Sequence, residues 1–157
     1  MVLVAGCSRQ PSLAEKSAAD ARAVAQVEAV QAEKPPPQPI APQPIVFADI
    51  DRHDLYGAGC AFAPGGNMGA VLLTRESGGY LKLGEALIRL AADPGSGELP
   101  LGTRTHYTGK AFSVDLARTS PAAEASNGNL RWPGRLTVRD PYDRVIYRSE
   151  GSVQCGS

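Results

Sequence analysis

Arg135-Leu136-Thr137-Val138-Arg139-Asp140-Pro141-Tyr142-Asp143-Arg144-Val145-Ile146-Tyr147-Arg148 holds two short runs of strand-forming residues around a turn. Leu136 and Val138 alternate with polar neighbours before the turn, and Val145 and Tyr147 alternate after it. A period of two belongs to a strand with one buried face, because successive side chains point to opposite sides. Asp140-Pro141-Tyr142-Asp143 supplies the break, since proline fixes φ and aspartate bonds its own backbone. The stretch predicts a β-hairpin across 140–143. Leu136, Val138, Val145 and Tyr147 should face inward, with Arg135 and Arg139 sharing one face, Arg144 and Arg148 sharing a face likewise, and the two pairs able to merge.

Working outward, the same pattern recurs between turns rich in Gly, Pro, Asn and Asp. The expected strands are 58–63, 69–75, 80–83, 86–90, 103–108, 111–116, 135–139 and 145–147, the last running on towards Cys155. Short strands closely spaced by turns favour an antiparallel sheet over βαβ units. The fold expected over 45–157 is all-β, a small antiparallel barrel or sandwich of about eight strands. Leu81, Leu83, Leu87, Leu90, Phe112, Val114 and Leu116 complete the expected core. The small, polar stretch 119–131 reads as a loop, with a short helix at 122–125 as the alternative.

The first third is different in kind, being rich in alanine and poor in large apolar residues. Ser12-Leu13-Ala14-Glu15 has the capping-box pattern, so a helix of about 20 residues is expected there. Its apolar face is thin, with only Leu13, Val24, Val27 and Val30 besides alanines. Pro35-Pro36-Pro37-Gln38-Pro39-Ile40-Ala41-Pro42-Gln43-Pro44 follows. Prolines at that density exclude a helix or a central strand and favour extended polyproline, a semi-rigid spacer. The expected organisation is a helical tether over 7–34, a linker over 35–44 and the β domain from Ile45.

Val4-Ala5-Gly6-Cys7, followed by Ser8, resembles a bacterial lipobox. The resemblance implies cleavage before Cys7, which becomes a lipidated N-terminus, with residues 1–6 the remnant of a signal peptide. Such an anchor contributes ~0.8 kcal/mol per buried methylene to membrane affinity. A signal peptide needs about 7–15 apolar residues, so the true start is expected upstream of Met1 or the sequence is truncated. With Cys7 acylated, Cys60 and Cys155 are free to pair, leaving no cysteine over. Anchor, spacer and domain in that order suit the bacterial cell envelope, facing the periplasm. Ser8 favours the outer membrane by analogy with that family.

Lys plus Arg equals Asp plus Glu at 16 each, so no overall field recruits nucleic acid. Neither Cys60 nor Cys155 has a His or Cys at metal spacing, and no metal or cofactor is expected. His53, in Asp51-Arg52-His53-Asp54, reads as a solvated lead-in to a strand. His106 reads as a structural histidine in mid-strand. No nucleophile elbow, zinc-protease motif or phosphate loop is present, so no enzyme is expected. The best functional surface is the series Arg131, Arg135, Arg139, Arg144 and Arg148, whose planar forks suit phosphate or carboxylate. Asp140, Asp143 and Glu150 lie among them, so a mutually neutralised solvent face is the alternative. Trp132 is a second candidate, either as a partner anchor or as part of the core.

The segment Leu101-Gly102-Thr103-Arg104-Thr105-His106-Tyr107, with Cys60 and Cys155 in the outermost strands, is similar to the periplasmic lipoprotein inhibitors of C-type lysozyme (MliC type). The resemblance implies a small disulfide-closed barrel that plugs a lysozyme cleft with a loop. Thr103 stands where that family has serine, so its inhibitory residues are not carried over. The expected function is a lipid-anchored envelope protein whose non-catalytic β domain binds an envelope component or protein partner. An inhibitor of a cell-wall hydrolase is the alternative, and a hydrolase is the third reading.

Overall fold

The structure, a computed structural model, describes residues 12–65 and 69–157. The lipidation expected at Cys7, the signal remnant 1–6 and part of the turn after Pro64 lie outside the described residues. The chain divides into two units at Pro36 and Pro37. In the first, α1 (Leu13–Ala32) forms the expected helix with its capping box complete. Ser12 N–H donates to Glu15 at 2.8 Å, and Glu15 N–H returns to Ser12 Oγ at 3.2 Å. None of its side chains is buried. No helix among the described residues is long and apolar enough to cross a membrane.

The second unit is a closed antiparallel barrel. Its strands are β1 (Gly59–Pro64), β2 (Leu72–Arg75), β3 (Gly78–Leu83), β4 (Ala86–Ala92), β5 (His106–Thr108), β6 (Ser113–Arg118), β8 (Asn129–Arg139) and β9 (Val145–Gly156). The short β7 (Glu124–Ser126) is an extra strand. Each strand pairs with the next through β6, β6 then pairs β8, and β9 returns to β1. β7 hangs on the first residues of β8, before β6 takes over that edge at Gly134. Pro133 sits at this handover, where a residue without an N–H is tolerated. The small residues at 119–131 thus hold a strand in place of the expected loop or helix, because β8 starts earlier than its alternation suggested.

Eight strands close to a lumen that side chains just fill. Phe62, Leu72, Leu81, Leu90, Tyr107, Val114, Leu116, Trp132, Leu136, Val138 and Val153 pack inside, essentially without exposure. The strands approach closely at Gly151 of β9, where any Cβ would run into the Ala63 carbonyl and lie 2.8 Å from Phe62 Cζ. Cys60 and Cys155 are register partners in β1 and β9 and form the expected disulfide.

Two inward assignments fail. Leu87 lies three residues from Leu90, and an odd spacing puts them on opposite faces of a strand. Leu90 is inside the barrel, while Leu87 packs outside it. Val145 is exposed because the β8–β9 register shifts beside Arg139, and Ile146 takes the buried place.

Outside the barrel, residues from Ile40 onward form a strap. Ile40 N–H donates to Ile146 O at 3.2 Å, Gln43 N–H to Lys82 O at 2.8 Å and Ile45 N–H to Ala70 O at 2.7 Å. The second half of the expected spacer is therefore laid on the barrel, its non-proline amides making the bonds. The lead-in expected around His53 is instead a helix, α2 (Phe47–His53), ended by Asp54 in the left-handed conformation. Ile45, Ile50 and Leu55 cover Leu73, Tyr80 and Leu87 on the outer wall.

One ion pair fastens this cover. Lys82 points outward from β3 and meets Asp49 of α2 at 2.6 Å, both side chains nearly buried. Asp49 also accepts the Val46 N–H at 2.9 Å. The hydrogen bond from Lys82, then that from Val46, hold the Asp49 carboxyl below its ordinary 3.8. A depressed carboxylate stabilises the fold above the unfolded-state value, and this contribution is lost as pH falls through the folded value. Thermal melting should therefore drop on acidification below about pH 4. Asp49→Asn should lower the neutral-pH melting temperature and flatten that acid slope; an unaltered slope would rule out Asp49 as its source.

Candidate functional site

The arginines of β8 and β9 stand on the barrel's outer wall, and most already have partners. Arg135 Nε meets Glu150 at 2.5 Å across the β8–β9 ladder. Arg139 lies 3.5 Å from Asp115 and 3.6 Å from Asp143. Arg144 is held in the turn by Asp140 at 2.6 Å, with its guanidinium 4.9 Å from the Tyr142 ring centroid. Burial raises the Asp140 carboxyl, but the hydrogen bonds from Arg144 and Tyr142 outweigh it and hold the group below its ordinary value. Arg148 is exposed opposite Thr137 and has no ion pair among the described residues. Thus Arg135, Arg139 and Arg148 share the outer wall as alternation implied, while Arg144 belongs to the turn. The series is a mostly neutralised face in place of a cationic patch.

Trp132 is 2% exposed and its indole belongs to the core, with Arg118 stacked 4.7 Å from the ring centroid. Packed there, it presents no surface to a partner. His53 is exposed in the last turn of α2.

His106 joins a series that alternation alone did not reveal. Its Nδ1 lies 2.7 Å from Asp115 and its Nε2 lies 3.3 Å from Thr108 Oγ1. Register accounts for this, because His106 faces Asp115 across β5 and β6 while Thr108 lies two residues along the same face. An acid, an imidazole and a hydroxyl in that order can pass a proton. They lie half-exposed or exposed on the convex wall, and of the three only Thr108 borders the depression of about 230 Å³ beside Lys110 and Asp143.

A heavily hydrogen-bonded exposed turn lies at one mouth of the barrel, beside the disulfide. A short 3₁₀ turn, Pro100–Gly102, carries Leu101 at φ 62° and ψ 32°. That left-handed conformation costs a non-glycine residue about 1–2 kcal/mol. Leu101 is nevertheless 46% exposed, so its own packing is not what holds it there. The surroundings impose the shape. Leu99 N–H donates to Thr103 O at 2.8 Å, and the buried Thr103 hydroxyl donates to Pro100 O at 2.8 Å. Cys60 Sγ lies 3.3 Å from the same hydroxyl. Tyr107, wholly buried, accepts the Arg104 N–H at 2.7 Å through its phenol oxygen. Sequence reasoning reached this segment only through resemblance, since nothing in its residue types signals a strained leucine.

No group of three or more His, Cys, Asp or Glu among the described residues could hold a metal ion.

No family model matches the chain. No curated protein or solved structure matches it either.

Removing the Tyr107 hydroxyl leaves the Arg104 N–H without its partner, and a buried orphaned donor costs about 1–3 kcal/mol. Tyr107→Phe should lose stability of that order in urea denaturation, with faster amide exchange confined at first to 99–105. Unchanged exchange there would mean the phenol does not hold the loop.

Proposed function

We propose that the chain is a lipid-anchored protein of the bacterial envelope, tethered through Cys7, whose barrel works without catalysis by docking a macromolecular partner. The observation that carries the docking reading is the contrast between the inside and the mouth of the barrel. The lumen is packed with Phe62, Tyr107, Trp132 and aliphatic side chains, leaving a ligand no internal place. The mouth holds Leu101 exposed on a turn whose shape is fixed in advance. An apolar side chain presented rigidly loses little entropy on binding, which suits a docking knob. The anchor is supported by the lipobox, and the Cys60–Cys155 bridge suits an oxidising compartment.

The inhibitor of a cell-wall hydrolase is a narrower form of this reading, favoured by the same turn. A turn fixed in advance and exposed at Leu101 suits occupation of an enzyme cleft without rearrangement.

Leu101→Gly separates the loop's binding role from its structural one. Glycine adopts this backbone freely, so the variant should be as stable as the wild type or up to about 1 kcal/mol more so. Titrated against C-type lysozyme, the wild type should form a 1:1 complex that blocks cell-wall lysis, and Leu101→Gly should weaken it about tenfold or more. Absence of a complex would remove the inhibitor reading and leave the envelope partner. Turnover of a cell-wall substrate that vanishes in His106→Ala would overturn the non-catalytic reading. Intact mass of the protein made from its full reading frame in a bacterial host tests the anchor, with an acylated Cys7 expected and an unmodified N-terminus fatal to it.

A further inference from the structure

Arg75, at the end of β2, is a half-buried cation with no carboxylate partner among the described residues. Its Nη2 donates to Leu55 O at 2.6 Å and its Nη1 to Thr74 O at 3.0 Å. Two carbonyl dipoles occupy two of the five N–H donors a guanidinium carries. Charges taken out of water are ordinarily paired, because partial desolvation disfavours the ion unless a counter-charge compensates. Burial accordingly pushes Arg75 below its ordinary value, with partial relief from Tyr80.

The backbone makes room for this cation. At Gly59 a Cβ would meet Arg75 Nη1 at 2.5 Å and Cδ at 2.9 Å, so the side chain lies against a bare backbone. Gly57, at φ +113°, turns the chain beside it. The guanidinium borders a cleft of about 600 Å³ walled by Tyr56 and Tyr80, with Ser77, Glu76 and Asp54 on its rim. That volume is in the usual range for a small ligand. Glu76 makes no ion pair with the arginine, and its stem lies beside Gly102, where a Cβ would meet its Cγ at 3.2 Å. Asp54 caps α2 through its backbone N–H, and its carboxylate makes no ion pair among the described residues.

The charges around the cleft select among anions. One guanidinium and two carboxylates, Glu76 and Asp54, line the cleft, so a dianionic phosphate meets net repulsion. A ligand with one carboxylate and one ammonium group meets complementary charge at both ends, and the planar fork of arginine fits the carboxylate best. We propose that this cleft binds a zwitterionic ligand, an amino acid or short peptide. Arg75 takes the carboxylate, Glu76 or Asp54 receives the ammonium, and the two tyrosines form the walls. The site is separate from the docking role of Leu101 and does not depend on the lipid anchor.

The test is a titration of the full chain with alanyl-alanine, followed by isothermal calorimetry and by the Arg75 side-chain N–H and Tyr80 ring resonances. N-acetyl-alanyl-alanine, alanyl-alanine amide and inorganic phosphate are the comparison probes. Saturable millimolar or tighter binding of the dipeptide is expected, with each blocked form weaker by about tenfold, the usual worth of one charge-assisted contact. Arg75→Gln should abolish binding, and Arg75→Lys should keep the charge but lose most of the affinity. Glu76→Gln or Asp54→Asn, both exposed and therefore safe for folding, should weaken the dipeptide while leaving its N-acetyl form unchanged. The proposal falls if the dipeptide does not saturate, if phosphate binds more tightly, or if both carboxamide variants bind the dipeptide like the wild type.

Discussion

A β-sheet becomes a barrel only if its first and last strands meet in register, and here that meeting is β1 against β9. β9 carries the whole arrangement, because it pairs β1 along one edge and the long β8 along the other. Cys60 and Cys155 are opposite each other in this ladder, so the covalent link and the hydrogen-bonded seam enforce one register. A one-residue slip would turn Val153 and Cys155 from the lumen to solvent. Closure also removes the unpaired edges that an open sheet would expose.

Much of the functional argument descends from that closure. An eight-stranded lumen is filled by the side chains that stabilise it, and Tyr107 and Trp132 leave nothing over for a ligand. Recognition is pushed to the outside, which the chain treats unevenly. Over β1–β4 the strap and α2 cover the wall, fastened by Lys82 and Asp49. Over β5, β6, β8 and the part of β9 beyond Ile146 it stays open, and charged side chains neutralise one another in pairs such as Arg135 with Glu150. At the mouth beside the disulfide Leu101 is uncovered and Arg75 has no ion pair among the described residues. Leu101 and Arg75 lie at that end, tied together through Tyr107, whose hydroxyl donates to Arg75 O at 3.4 Å.

The strands and the seam were legible because alternation is local. Leu136 with Val138 and Val114 with Leu116 follow from spacing two apart, and a closed barrel obeys that rule. The same rule, applied strictly, would have set Leu87 apart from Leu90. What could not be read depends on contacts between distant segments. The register shift that exposes Val145 is a property of two strands together. α2 has too few residues for a periodic signal, and its stability comes from the wall beneath it. β7 forms from Glu, Ala and Ser, none of which favours a strand, because β8 offers it a free edge. The site residues divide likewise. Arginine forks were visible as chemistry, and so were the nearby carboxylates Asp140, Asp143 and Glu150 that pair with them, whereas Asp115 on β6 reaches Arg139 only through the strand pairing. Leu101 and Arg75 stand out only by a backbone angle and a missing counter-ion, which no residue type announces.

The most direct measurement of the central claim, a barrel sealed at β1 and β9, is urea unfolding of the oxidised and the reduced protein, with Cys7→Ser removing the third thiol. A bridge across a separation of 95 residues restricts the unfolded chain by about 4–5 kcal/mol in the chain-entropy model. The oxidised protein should show no free thiol and unfold in one transition, with the reduced form less stable by roughly that amount. Two titratable thiols before reduction, or coincident unfolding curves, would contradict the seam and with it the closed barrel on which the rest depends.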